Sequence, residues 1–70
     1  MSGLLLWVNG EPHELPARAM LPEVLAAHAP GAARGVAVAV NGAVVPRSQW
    51  AATPLQPDDR VEILVAAQGG

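Results

Sequence analysis

The chain has no cysteine, no lysine, no phenylalanine and no tyrosine. Without cysteine there can be no disulfide framework, no thiolate metal site and no thiol nucleophile. Without lysine the protein cannot build chains of itself on its own side-chain amines. Only four arginines stand against six acids, for a formal net charge of -2, and they form no basic stripe. Two tryptophans are the only ring-stacking residues, which leaves no aromatic and arginine platform for nucleic acid. No apolar run approaches the length of a membrane span, and no charged start leads into an apolar stretch. The expectation is a cytoplasmic protein with neither nucleic acid nor membrane as partner. His13 and His28 are the only histidines. They have no ligand-type neighbours at metal spacing, which predicts solvated or half-buried imidazoles and no metal. There is no Ser/His/Asp set, no glycine-rich phosphate loop and no pair of carboxylates placed for acid–base work.

What remains is 70 residues, half of them hydrophobic, enough for one small domain. A chain of this size buries about three-fifths of its unfolded surface, so the core must be efficient. With the aromatics so few, it has to be built from Leu, Val, Ile and Ala. Leu4 to Val8 reads as a strand, and Asn9-Gly10 after it is the strongest two-residue hairpin signal. The returning strand, Glu11 to Leu15, contains Pro12, which cannot donate to a ladder, so an edge position is expected. Leu21, Val24, Leu25 and His28 recur at helical spacing. They predict a helix from Leu21 to His28, with Pro22 at its first position, a poor cap before it and Pro30-Gly31 after it. Gly35 to Val40 then forms a strand, a second Asn41-Gly42 turn follows, and Ala43 to Val45 pairs back. Arg47 to Ala52, with Trp50, reads as a turn or a single helical turn. Pro54, Pro57, Asp58 and Asp59 mark another turn before the last strand, Arg60 to Ala66. The order predicts an α+β roll, a mixed sheet of four to five strands with one short helix on one face.

Alternation along the strands predicts a second feature. Leu4, Leu6 and Val8 share one face of the first strand, with Leu5 and Trp7 opposite. In the last strand Val61, Ile63 and Val65 are expected inward, because Glu62 then lies in water. If the first and last strands are neighbours, Leu5, Trp7 and Leu64 form an exposed apolar cluster rimmed by Arg60 and Glu62, a candidate protein-docking patch. The alternative is that Trp7 packs under a loop, against Trp50. Beyond the last strand the sequence closes on Gln68-Gly69-Gly70. Neither glycine has a Cβ, so such an end can thread a narrow channel and deliver its carboxylate to a partner's active site. The competing reading is a frayed terminus.

Several segments together resemble a known family. They are Val8-Asn9-Gly10-Glu11; Val38 to Gly42 with Val45-Pro46-Arg47 and Trp50; Leu55 with Asp59 to Ile63; and Gln68-Gly69-Gly70. The chain resembles the ThiS-type sulfur carriers of thiamin biosynthesis, which are β-grasp, ubiquitin-like proteins. It departs from the usual Gly-Asp before the last strand by having Asp58-Asp59, a change that an Asp tolerant of left-handed backbone can absorb. The resemblance implies a single β-grasp domain over 1–66 and a flexible tail over 67–70. It implies a protein co-substrate rather than an enzyme, with no cofactor of its own. Gly70 would be adenylated by a ThiF-type adenylyltransferase using ATP and Mg²⁺, and converted to a thiocarboxylate with sulfur from a persulfide donor protein. A thiazole synthase would then take the sulfur. Gln68 and Gly69 would thread the partner's channel. The alternatives are a carrier for molybdopterin or tRNA thiolation, a ubiquitin-like modifier, or a structural module with an irrelevant tail.

Overall fold

The computed structural model describes residues 3–28 and 35–65. Gln68, Gly69 and Gly70, and with them the tail expected over 67–70, lie outside the described residues. The elements are β1 (Gly3–Val8), β2 (Glu11–Pro16), α1 (Leu21–His28), β3 (Val36–Val40), β4 (Ala43–Val44), a 3₁₀ helix (Arg47–Ala52) and β5 (Arg60–Val65). The strands form one mixed sheet in the order β2-β1-β5-β3-β4. β5 therefore lies at the centre, parallel to β1 and antiparallel to β3. The α+β roll expected from the sequence is the observed architecture, and Pro12 does sit in an edge strand.

Both hairpins turn through left-handed backbone. Asn9 and Gly10 have φ of 51° and 84°, and Asn41 and Gly42 have 52° and 86°. Positive φ at both central positions matches the right-handed twist of the strands on either side. A Cβ built on Gly10 or Gly42 would meet nothing within 4 Å, so conformation rather than space selects glycine there. A third turn precedes β5. Asp59 N–H donates to the Gln56 carbonyl at 3.2 Å across Pro57 and Asp58, and Asp58 has φ of 67°. Proline at the second position and positive φ at the third are the type II pattern, which favours glycine where this chain has aspartate.

The core is aliphatic, as the shortage of aromatics requires. Leu4, Leu6 and Val8 of β1, Val38 of β3, and Val61 and Ile63 of β5 meet Ala19, Leu21, Val24, Leu25 and Leu55. Trp50 packs at the edge of this cluster and donates its Nε1–H to the Val45 carbonyl at 2.9 Å. The helix runs over the residues expected, but its start differs in detail. Leu21 is the first helical residue, so Pro22 is the second; its missing N–H is still one of the four a helix leaves unpaired. The residue before the helix, Met20, is a poor cap as expected, with no side-chain acceptor, but the start has other partners. The Glu23 carboxylate reaches back to accept the Met20 N–H at 2.6 Å, the carboxylate half of a capping box. Leu21 N–H also donates to the Thr53 carbonyl at 3.1 Å. One expected core residue is not buried. Val65 belongs to the inward register of β5, yet it is 56% exposed, because the sheet outruns a helix of only eight residues.

The side chains of the two turn asparagines reach β5. Asn9 Oδ1 accepts the Ile63 N–H at 2.8 Å and its Nδ2 donates to the Ile63 carbonyl at 3.3 Å. Asn41 Oδ1 accepts the Arg60 N–H at 3.0 Å, and its Nδ2 donates to Asp59 Oδ1 at 2.9 Å. Asn9→Gly keeps the left-handed turn and removes only the carboxamide. It is expected to lower the unfolding free energy by about 1–3 kcal/mol, read from urea denaturation; an unchanged midpoint would mean that water replaces the Ile63 bonds without penalty. Asp58→Gly is expected to leave stability unchanged or raise it by up to about 1 kcal/mol, because glycine relieves the left-handed strain. A lower denaturation midpoint would contradict this reading of the turn.

Candidate functional site

The helix and the 3₁₀ segment cover one face of the sheet. The other face carries the alternate residues of every strand. Trp7 of β1 pairs in register with Arg60 of β5 and Pro12 of β2, and Leu5 pairs with Glu14. Across the next seam Leu64 and Glu62 of β5 face Ala37 and Ala39 of β3. Small alanines flank the larger β5 side chains and give them no cover. Leu64 is 71% exposed, Leu5 48% and Trp7 37%.

The five residues singled out for docking, Leu5, Trp7, Arg60, Glu62 and Leu64, share one face of adjacent strands, but the structure does not gather all of them. Trp7, Gly10, Arg60 and Glu62 line a surface cleft there, whereas the parallel register that sets Trp7 against Arg60 leaves Leu5 and Leu64 at opposite ends of the face. Trp7 does not pack against Trp50, which joins the core on the helix side of the sheet. Val65 is exposed as well, but its register places it on the opposite face, with Ile63.

The backbone under this face is firmly held. Trp7 N–H donates to the Asp59 carbonyl at 2.8 Å, Asn9 N–H to the Val61 carbonyl at 2.9 Å, and Asp58 N–H to the Leu5 carbonyl at 2.8 Å. Asp59, the one buried charged residue among those described, takes the Gln56 N–H at 2.8 Å on Oδ2 and Asn41 Nδ2 on Oδ1. With both oxygens engaged, burial leaves the carboxylate paired. These contacts anchor the start of β5, the strand that leads towards Gly70. Among the described residues there is no group of three or more metal-ligating side chains. No helix of the described residues is long and apolar enough to cross a membrane.

Facing position on β5 should decide the response to truncation. Leu64→Ala is expected to change stability by less than about 0.5 kcal/mol, whereas Ile63→Ala next to it should cost about 2–5 kcal/mol by leaving a core cavity. Equal losses in thermal or urea unfolding would mean that the two faces are not distinct.

Comparison with known proteins agrees with this architecture. The ThiS family model matches residues 6–70. A solved structure, the thiamine biosynthesis protein ThiS from Geobacter metallireducens, is similar at 33% sequence identity with a TM-score of 0.78. The match covers 96% of this chain and 100% of that one. No curated protein matches the chain. With a β-grasp sheet and a family match running from β1 through the final glycines, the chain belongs to the ThiS family.

Proposed function

We propose that this protein is a cytoplasmic sulfur carrier of thiamin biosynthesis, with Gly70 as the reacting residue. The observation that carries this reading is the family match extending through Gly69 and Gly70. A carboxylate does not accept sulfur directly, because its oxygen is a poor leaving group. Activation therefore comes first. A Gly70 carboxylate oxygen attacks the α-phosphate of Mg²⁺-bound ATP in a ThiF-type adenylyltransferase, and pyrophosphate leaves. A persulfide sulfur from a donor protein then attacks the carbonyl carbon of the acyl-adenylate and displaces AMP. A second thiolate, from the donor protein or a thiol reductant, attacks the donor-side sulfur of the resulting acyl disulfide; a new disulfide forms, the thiocarboxylate leaves on Gly70, and a thiazole synthase consumes it. In this scheme ATP and Mg²⁺ belong to the partner, and the chain itself is a co-substrate.

The division of roles within the chain follows from its chemistry. Gly69 gives clearance in a narrow channel, and Gln68 can hydrogen-bond along it. Leu5, Trp7 and Leu64 provide apolar area for the adenylyltransferase, with Arg60 and Glu62 setting orientation at the rim. Buried aromatic anchors ringed by polar groups are what concentrate binding energy in protein interfaces. β5 ends in the segment that carries Gly70, so docking through that strand brings the reacting carboxylate near the partner's site.

The test is the intact mass of the protein after incubation with ATP, Mg²⁺, a persulfide source and the adenylyltransferase. A gain equal to replacing one oxygen by sulfur is expected, and deletion of Gly70 should abolish it. No gain with a demonstrably active partner would overturn the proposal, and adducts joined to lysines of other proteins would point to a modifier instead. Gly69→Ala is expected to block adenylation while leaving unfolding unchanged. Leu64→Asp should lower kcat/KM for adenylation by about tenfold or more if the patch docks the partner; a normal rate would place docking elsewhere.

A further inference from the structure

The fold joins two residues that lie far apart in sequence and outside the site described above. His13 is in the middle of β2, on the side of the sheet that faces the helix, and His28 is the last residue of α1. Their Nε2 atoms are 2.7 Å apart, and both rings are half-buried. The ring centroids are only 4.1 Å apart, with the planes inclined at 64°. Each Nε2 lies on the rim of its ring, so a head-on contact at this N···N distance would hold the centres farther apart. The lone-pair directions thus lean off the line between the nitrogens. That lean weakens a hydrogen bond, which favours a near-linear donor, and leaves two imidazole nitrogens side by side.

From this geometry we infer that His13 and His28 form a two-histidine site for a divalent transition cation of the zinc type. Imidazole nitrogen is a preferred donor for such ions. Zn–N bonds of about 2.0–2.1 Å at a tetrahedral angle put two ligand nitrogens roughly 3.3–3.4 Å apart, so the 2.7 Å spacing has to open by about 0.6–0.7 Å, within reach of small rotations of the two half-buried rings. Each neutral ring ligates through Nε2 and carries its single N–H on Nδ1. The ring now donating through Nε2 therefore changes tautomer, and no net proton is lost. Among the described residues no third ligand joins the pair, and water completes the coordination. The position also suits a cation electrostatically, since the end of a helix presents unpaired carbonyls and the negative pole of its dipole. The two ligands are 15 residues apart and come together only when β2 and α1 have docked. The ion therefore binds the folded chain in preference to the unfolded one. It clamps the edge strand to the helix.

Composition makes the test clean, because the chain has two histidines and no cysteine. Zn²⁺ alone would be titrated into the metal-free protein by calorimetry, with parallel thermal melts. One ion per chain and a rise in melting temperature are expected for the unsubstituted protein. His13→Gln and His28→Gln should each weaken binding by about tenfold or more, since either removes half of a chelate, and each should abolish the thermal shift. If both single variants retain comparable affinity, the histidines act as independent surface ligands and the inference fails. It fails equally if the unsubstituted protein shows no binding. Imidazole ¹⁵N resonances of the unsubstituted protein give a readout that does not depend on the variants folding. Zn²⁺ should move the Nε2 signals of both rings together, and movement of only one would overturn the shared site. None of these readouts involves the adenylyltransferase, so they are independent of the sulfur-carrier reading.

Discussion

The structure depends most on how two asparagine side chains hold the central strand. β5 is the last strand in sequence and the middle one in space, so it must find its place between hairpins made long before it. Asn9 and Asn41 sit at the tips of those hairpins, and each carboxamide bonds to β5 or to the turn that feeds it. The Asn9 carboxamide offers the Ile63 peptide one acceptor and one donor, the same pair a neighbouring strand would offer. It thereby extends the β1 side of the parallel ladder one step beyond the end of β1. The left-handed backbone that makes the turn also aims the side chain, so one residue type closes a hairpin and fixes the register of a third strand.

That register decides what the two faces of the sheet present. Shifting β5 by one residue would bury Glu62 and Leu64 and expose Val61 and Ile63. In the observed register Val61 and Ile63 complete an aliphatic core under α1, and Leu64 stands beside alanines on the open face. Among the described residues nothing covers that face. In a domain of this size the one short helix covers a single face, and the remaining apolar area is free to serve a partner. The strand that displays Leu64 is also the one running towards Gly69 and Gly70.

The second junction, between β2 and α1, is built differently. β2 is an edge strand with Pro12 and Pro16, and it has only β1 as a ladder partner. Leu15 reaches the core from it, and His13 meets His28 above that contact. The edge is therefore tied to the helix by side chains rather than by backbone pairing. Polar contacts of this kind can be tuned by an ion or solvent without disturbing the central ladder.

Much of this was legible in the sequence because the signals were local. Asn-Gly needs positive φ at both positions, so both hairpins followed from two dipeptides. The spacing of Leu21, Val24, Leu25 and His28 gave the bounds of the helix, and alternation in β1 separated Leu6 from Trp7. Contacts distant in sequence were not legible. No local pattern says that the Asn9 carboxamide will meet the Ile63 peptide, that Glu23 will cap the helix through Met20, or that Val65 will outrun its cover. Nor does spacing along the chain bring His13 to His28. The sequence by itself determined the elements and their faces, because these depend on neighbouring residues and the period of the backbone. The tertiary structure alone decided which side chains pair, because pairing depends on where separate elements come to rest against one core.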